Sequence, residues 1–306
     1  MEIVLASAAN VRYGYHLLNM LGSVRRNSNL FDRIVVYDLG LDDTQRRLVR
    51  GLRDVEVRTI PAFAPHWAKC FSWKPWIWTH LESEAIFYLD AGTTVLRPLD
   101  DVVETIARDG YFVVGQGIAL EAIVPEDYYD LYHLPRTAAT REYVAAGILG
   151  FRTSSGFFRD VVIPTYEDVL LGRNLGFSRD EVETLNWGDT RLDEPVIREC
   201  THFRHDQTLL NVHLACSFPD AHVNDLWKYG GWQSSHDHPE QRIWNHRRAS
   251  DWRYVAAAGY RFPTSLQARW TRMQLRFGGW KMRNRQFLQP SSYWRRASRV
   301  LRQSPR

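Results

Sequence analysis

Three cysteines in 306 residues, Cys70, Cys200 and Cys216, are too few and too scattered to build a disulfide framework. None belongs to a CxxC pair, so a cysteine-built structural zinc site is not expected, and a sparse, odd set suits a reducing compartment. Long apolar runs are missing too: no window nears the roughly 18–20 residues that a membrane-spanning helix needs. The opening MEIVLASAAN lacks the basic start and extended apolar stretch of a secretory signal. The expectation is a cytoplasmic protein, at most peripheral at the inner face of a membrane. Several signatures are also absent: GxxxxGK(S/T), a GxGxxG after the first strand, GxSxG and HExxH. Their absence argues against P-loop kinase, dinucleotide-dependent dehydrogenase, α/β-hydrolase and zinc-protease chemistry.

Aromatic residues, by contrast, are plentiful, with 12 Trp, 14 Tyr and 14 Phe. Planar side chains fill cores, and they also stack on sugars and bases, so the excess mildly favours such a ligand. Charge is unevenly distributed. Residues 265–306 hold 11 Lys or Arg and no Asp or Glu, leaving 28 basic against 35 acidic side chains in the first 264. The net +4 is therefore an acidic body joined to a basic tail, and an acidic body is a poor partner for nucleic acid.

Short apolar runs alternate with helical periodicity along the first half of the chain. Strands are expected at 3–8, 33–38, 55–60, 85–89, 111–115 and 146–151. Helices are expected from about 14 to 26 (Leu17, Leu18, Leu21 and Val24 on one face), and at 43–52, 73–82, 99–108, 157–170 and 207–215. Asp42 or Asp43 can cap the second helix, and Pro75 falls in the first turn of the third, where its missing N–H does no harm. Strands and helices alternating in this way predict βαβ units and a mostly parallel sheet, an α/β Rossmann-like domain. Residues 172–204 and 217–250 are loop-rich, and loops of that length in a compact enzyme are usually functional or disordered. The expected organisation is one catalytic domain over 1–250 and a basic amphipathic extension over 251–306.

The run FYLDAGTTVLRPLDDV, residues 87–102, brings Asp90 to the carboxyl end of a buried strand. Ligands bind at that edge of an open α/β sheet. A carboxylate there can ligate a divalent cation that also holds a diphosphate, or it can simply cap the turn. Five motifs in order (VYDLGL at 36–41, WKPWI at 73–77, FYLDAGTTV at 87–95, AAGILGF at 145–151 and HDQTLLN at 205–211) resemble GT-A glycosyltransferases, specifically the family-8-like branch and a related, poorly characterised group. The resemblance covers about residues 1–215.

That resemblance implies a nucleotide-sugar donor, a UDP-sugar above others, and a divalent metal, Mn²⁺ or Mg²⁺. It places Asp90 at the first acidic position of the DxD-type motif. The second falls at Gly92, which has no carboxylate, so the metal set is incomplete without another residue. His246 is the first candidate, with His236 and His238 behind it. The resemblance further implies that Ala8, Asn10 and Tyr13 hold base and ribose, that Lys74 meets a donor phosphate, and that Ala146 and Gly147 leave room for the sugar. Asp206 and Gln207 would face the transferred sugar as the catalytic pair, although Asp206 could equally be a helix N-cap. Retention of anomeric configuration follows from the same resemblance. The competing expectations are a catalytically inactive nucleotide-sugar-binding protein on this fold and a nucleotidyltransferase, for which SAANVRYGY is a poor pyrophosphate loop.

The tail repeats one design twice. Leu266, Trp270, Met273 and Phe277 share a helical stripe beside Arg269, Arg272 and Arg276. Tyr293, Ala297, Val300 and Leu301 share a second stripe, opposite Arg295, Arg299 and Arg302. Basic amphipathic helices with Trp at the boundary lie in the headgroup plane, so the expected partner is an anionic membrane surface and the expected acceptor a glycan or lipid-linked molecule of the cell envelope.

Overall fold

A computed structural model describes residues 1–176, 203–232, 238–245 and the single position 273. A six-stranded sheet forms its centre, in the order β3-β2-β1-β4-β7-β6. These strands are β1 (Ile3–Ala9), β2 (Arg33–Asp38), β3 (Val55–Arg58), β4 (Ala85–Leu89), β6 (Tyr111–Ala119) and β7 (Glu142–Arg152); a two-residue β5 (Thr94–Val95) pairs with β8 (Ile243–Trp244). β1, β2, β3 and β4 run parallel, and β7 runs antiparallel to both β4 and β6. The sheet is thus mostly parallel, as expected from the sequence, with a single reversed strand that adjacent-element rhythm does not reveal.

Both faces of the sheet are covered, which is why the inner strands β1 and β4 are buried at every position and almost wholly apolar. Side chains of β1 alternate between the two layers. Ile3, Leu5 and Ala9 pack with α1 (Gly14–Asn27), α2 (Asp43–Arg50) and α4 (Asp100–Asp109). Val4, Ala6 and Ala8 pack against α3 (Trp73–His80) and residues of α7 (Asp206–Ser217). Between these come α5 (Glu126–Leu131) and α6 (Ile163–Leu170), which with α7 enclose a smaller apolar cluster around Leu120, Tyr128 and Leu209.

Local chemistry accounts for most boundaries. Asp42 accepts from the Gln45 N–H, and the Gln45 side chain returns the bond to the Asp42 N–H, a reciprocal cap that starts α2. The helix expected at 157–170 is split into a π turn at Phe158–Val162 and an α-helix that begins at Ile163. Pro164, whose ring clashes with a preceding carbonyl, sits in the first turn of the second piece. β7 extends four residues before the expected start through its pairing with β6, Val144 opposite Gly115 and Glu142 opposite Ala119. Asn211 of α7 also holds Val144, whose N–H donates to its Oδ1 at 2.7 Å and whose carbonyl accepts from its amide at 2.9 Å.

Candidate active site

Strand periodicity decides where Asp90 points. Phe87 and Leu89 face the α1 layer, so Ile86 and Tyr88 face the α3–α7 layer, and Asp90, two residues on, lies on that same side. Its backbone N–H donates to the Gly147 carbonyl at 2.8 Å, and its own carbonyl accepts from the Thr93 N–H and hydroxyl at 3.1 and 2.8 Å. A β-carbon on Gly147 would stand 2.4 Å from Asp90 Oδ2, so the glycine is what leaves space for the carboxylate.

Around Asp90 three elements converge. Lys74, in the first turn of α3, approaches Asp90 Oδ1 at 2.9 Å and donates to Oδ2 at 3.1 Å. The Tyr88 hydroxyl donates to Oδ1 at 3.2 Å. Asp206 opens α7, with Oδ2 3.9 Å from the Lys74 ammonium. Lys74 and Asp206 are almost fully buried, whereas the Asp90 side chain keeps 37% of its surface exposed. The ammonium also lies near aromatic faces, 5.0 Å from the Phe71 ring centre, 5.6 Å from Trp73 and 5.7 Å from Tyr88. The result is a buried cation between two carboxylates, with only Asp90 open to solvent.

Burial pushes the Asp206 carboxyl up to about 7, the nearby Asp90 charge adds to the rise, and Lys74 opposes it. Asp206 Oδ2 is buried without a hydrogen-bond partner. Burial and the Asp90 charge likewise hold the Tyr88 phenol well above its ordinary value, so it remains a donor. A carboxyl that keeps its proton in the fold to about pH 7, yet loses it near 4 when unfolded, makes the fold lose stability as pH rises between those values. Asp206→Asn removes this slope. Calorimetric melting of the variant and parent from pH 5 to 8 should show a gap that grows in the variant's favour with rising pH. A gap independent of pH would mean that Asp206 is ionised throughout.

The other expected site residues divide in two. Ala146 and Gly147 lie on β7 beside Asp90, as the sheet register Leu89↔Ile148 requires, and Gly92 is buried in the turn after it. Gln207 donates from its amide to the Val144 carbonyl at 2.8 Å, so its nitrogen ties α7 to β7. Asp206 is the first residue of its helix and not the N-cap; that position belongs to His205, which makes no side-chain capping bond. At the end of β1, Ala8 is buried in the core. Asn10 is exposed and accepts from the Arg12 N–H at 3.0 Å, and Tyr13 is half-buried against His16 and Arg12.

Among the described residues no three His, Cys, Asp or Glu side chains gather into a metal cage. His238 stacks on Trp227 at 4.6 Å between ring centres, and His236 and His246 lie outside the described residues. A hard divalent ion can nonetheless be held by one or two carboxylates together with substrate phosphates. Asp90, half-exposed and oriented by Tyr88 and Lys74, fits that arrangement. Tyr88 escaped the sequence reading, although its place two residues before Asp90 on a strand was the signal that the two side chains share a face.

The chain matches no family profile and no curated protein sequence. Its fold does have solved counterparts. The apo structure of the bifunctional glycosyltransferase WbbM aligns with a TM-score of 0.54 at 10% identity, over 88% of this chain and 51% of that one. An active-site variant of LgtC, a galactosyltransferase, aligns with a TM-score of 0.50 at 15% identity, over 84% of this chain and 95% of that one. This chain therefore spans about half the length of WbbM and almost all of LgtC. The fold is the Rossmann-like, GT-A-type fold of glycosyltransferases.

Proposed function

We propose that this chain is a glycosyltransferase that moves a sugar from a nucleoside-diphosphate donor, a UDP-sugar above others, to a glycan or lipid-linked acceptor. The observation that carries this reading is the half-exposed Asp90 carboxylate at the carboxyl edge of a GT-A-type sheet, with buried Lys74 and Asp206 against it. The acceptor's hydroxyl oxygen bonds to the anomeric carbon while that carbon's bond to the diphosphate breaks, and the hydroxyl proton ends on the released nucleotide or on water.

Each residue has a role in this scheme. Asp90 would hold a divalent ion, which when bound neutralises charge on the leaving diphosphate. Lys74 and Tyr88 keep the Asp90 carboxylate in one orientation, as hydrogen-bonded supports of a ligating carboxylate do. Asp206, able to accept or donate near neutral pH, would bind a hydroxyl of the transferred sugar, with Gln207 beside it. The family-8-like resemblance adds retention of configuration. UDP release from UDP-glucose, UDP-galactose and UDP-N-acetylglucosamine, followed with and without Mn²⁺, tests the reading. Release supports it; UDP binding without release from any donor would point instead to a binding protein on the same fold.

We also propose that residues 265–306 attach the enzyme to an anionic membrane surface. Apart from Met273 they lie outside the described residues, and no helix among the described residues is long and apolar enough to cross a bilayer. Each basic residue near such a surface contributes about 1 kcal/mol at best. Full-length protein should therefore sediment with phosphatidylglycerol vesicles and not with phosphatidylcholine vesicles, while a chain ending at residue 264 should sediment with neither. Equal binding by both chains would dismiss the tail as the anchor.

A further inference from the structure

Two of the residues in the Asp90 cluster are delivered by backbone that L-amino acids resist. Just before α3, Cys70 and Phe71 have φ of 46° and 59°. Just before α7, His205 has φ 57° and ψ −120°, a region that glycine alone enters readily. Non-glycine residues stay there only when their surroundings hold them, so something must secure both segments.

Asn174 touches both. It is fully buried in the short turn Arg173–Leu175, between Gly172 and Gly176, each with positive φ. Its amide nitrogen donates to the Cys70 carbonyl at 3.1 Å and to Ser72 Oγ at 2.8 Å. Its backbone carbonyl faces His205 Nδ1 at 2.9 Å. Burial lowers the pKa of that imidazole, which favours the neutral ring donating from Nδ1. The Phe71 and His205 rings, carried by the two secured segments, lie 6.1 Å apart. Lys74 follows two residues after Ser72, and Asp206 directly after His205.

We infer that Asn174 is a positioning residue that clamps the loop before α3 to the start of α7 and so sets the approach of Lys74 to Asp206. It touches neither carboxylate and acts only through the two backbone segments. Loss of the amide frees Cys70 and Phe71 to relax towards ordinary φ, which draws Lys74 away from Asp206.

The test rests partly on the transferase reading and combines three readouts on full-length protein. In Asn174→Ala, turnover in UDP release should fall roughly tenfold to a hundredfold, the scale of a small misplacement of reacting groups. Affinity for UDP by calorimetry should fall much less than turnover, because a shifted Lys74 disturbs the alignment of the site while the Asp90 charge stays in place. Amide exchange should quicken most in the peptide covering 69–76, which loses both amide bonds, and less in 204–208, where alanine keeps the backbone carbonyl that meets His205. Adding Cys70→Gly should restore much of the turnover, since glycine adopts the left-handed backbone unaided. Ser72→Ala, which deletes one acceptor of the amide, replaces Asn174→Ala if the latter does not fold, with the same split expected. Undiminished turnover, equal losses of turnover and UDP affinity, or no rescue by Cys70→Gly would overturn the clamp. If the parent protein releases UDP from no donor, the transferase reading fails, and the exchange data alone decide: unchanged exchange in 69–76 overturns the clamp.

Discussion

Asp90→Asn should lower UDP release from the preferred donor by at least about a hundredfold to a thousandfold, the cost of removing one placed charge at a developing anion. Its melting temperature should stay within a few degrees of the parent. The reason is local. An asparagine oxygen still accepts from Lys74 and from the Tyr88 hydroxyl, the space beside Gly147 admits an amide as readily as a carboxylate, and Asp206 still balances the buried ammonium. Only the negative charge at the exposed edge is lost. Near-parental turnover would remove Asp90 from the reaction.

Lys74→Met should have the second-largest effect, and on stability as well as turnover. Removing one member of a buried ion pair typically costs about 3–5 kcal/mol, because the partner is left charged and unpaired. Here Asp206 can escape that cost by keeping its proton, with its carboxyl already raised to about 7 by burial. The destabilisation should therefore be larger at pH 8 than at pH 6, and the apparent pKa of Asp206 should rise further once its cation is gone. Urea unfolding at the two pH values measures the first effect. Turnover should fall by roughly a hundredfold, since Asp90 loses the ammonium that holds its carboxylate in place. A cost that is the same at both pH values would mean that Lys74 and Asp206 are not coupled.

Much of the scaffold was legible in the sequence because it rests on local rules. Apolar runs of five or six residues make buried strands wherever they occur, Asp42 three residues before Gln45 makes a cap, and a carboxylate after FYL must emerge at a strand's carboxyl end. Other features depend on segments distant in the chain. The reversal of β7 comes from its pairing with β4 and β6, in which Phe87 meets Gly150, a partner more than sixty residues away. The split of the helix at Pro164 was open to inspection, but the π turn before it was not.

The site divides along the same line. The sequence by itself determined that Asp90 follows a buried strand at the carboxyl edge of the sheet, that no carboxylate stands at Gly92, and that a helix opens near Gln207. Tertiary structure alone decided that Lys74 is buried between Asp90 and Asp206, that the Gln207 amide is committed to Val144, and that Asn174 reaches both loops. Periodicity and capping act over a few residues and can be read from neighbours in the chain. Ion pairing, desolvation and the securing of strained backbone act between residues up to about 130 positions apart, as from Lys74 to Asp206, and exist only once the sheet has brought α3 and α7 onto one face.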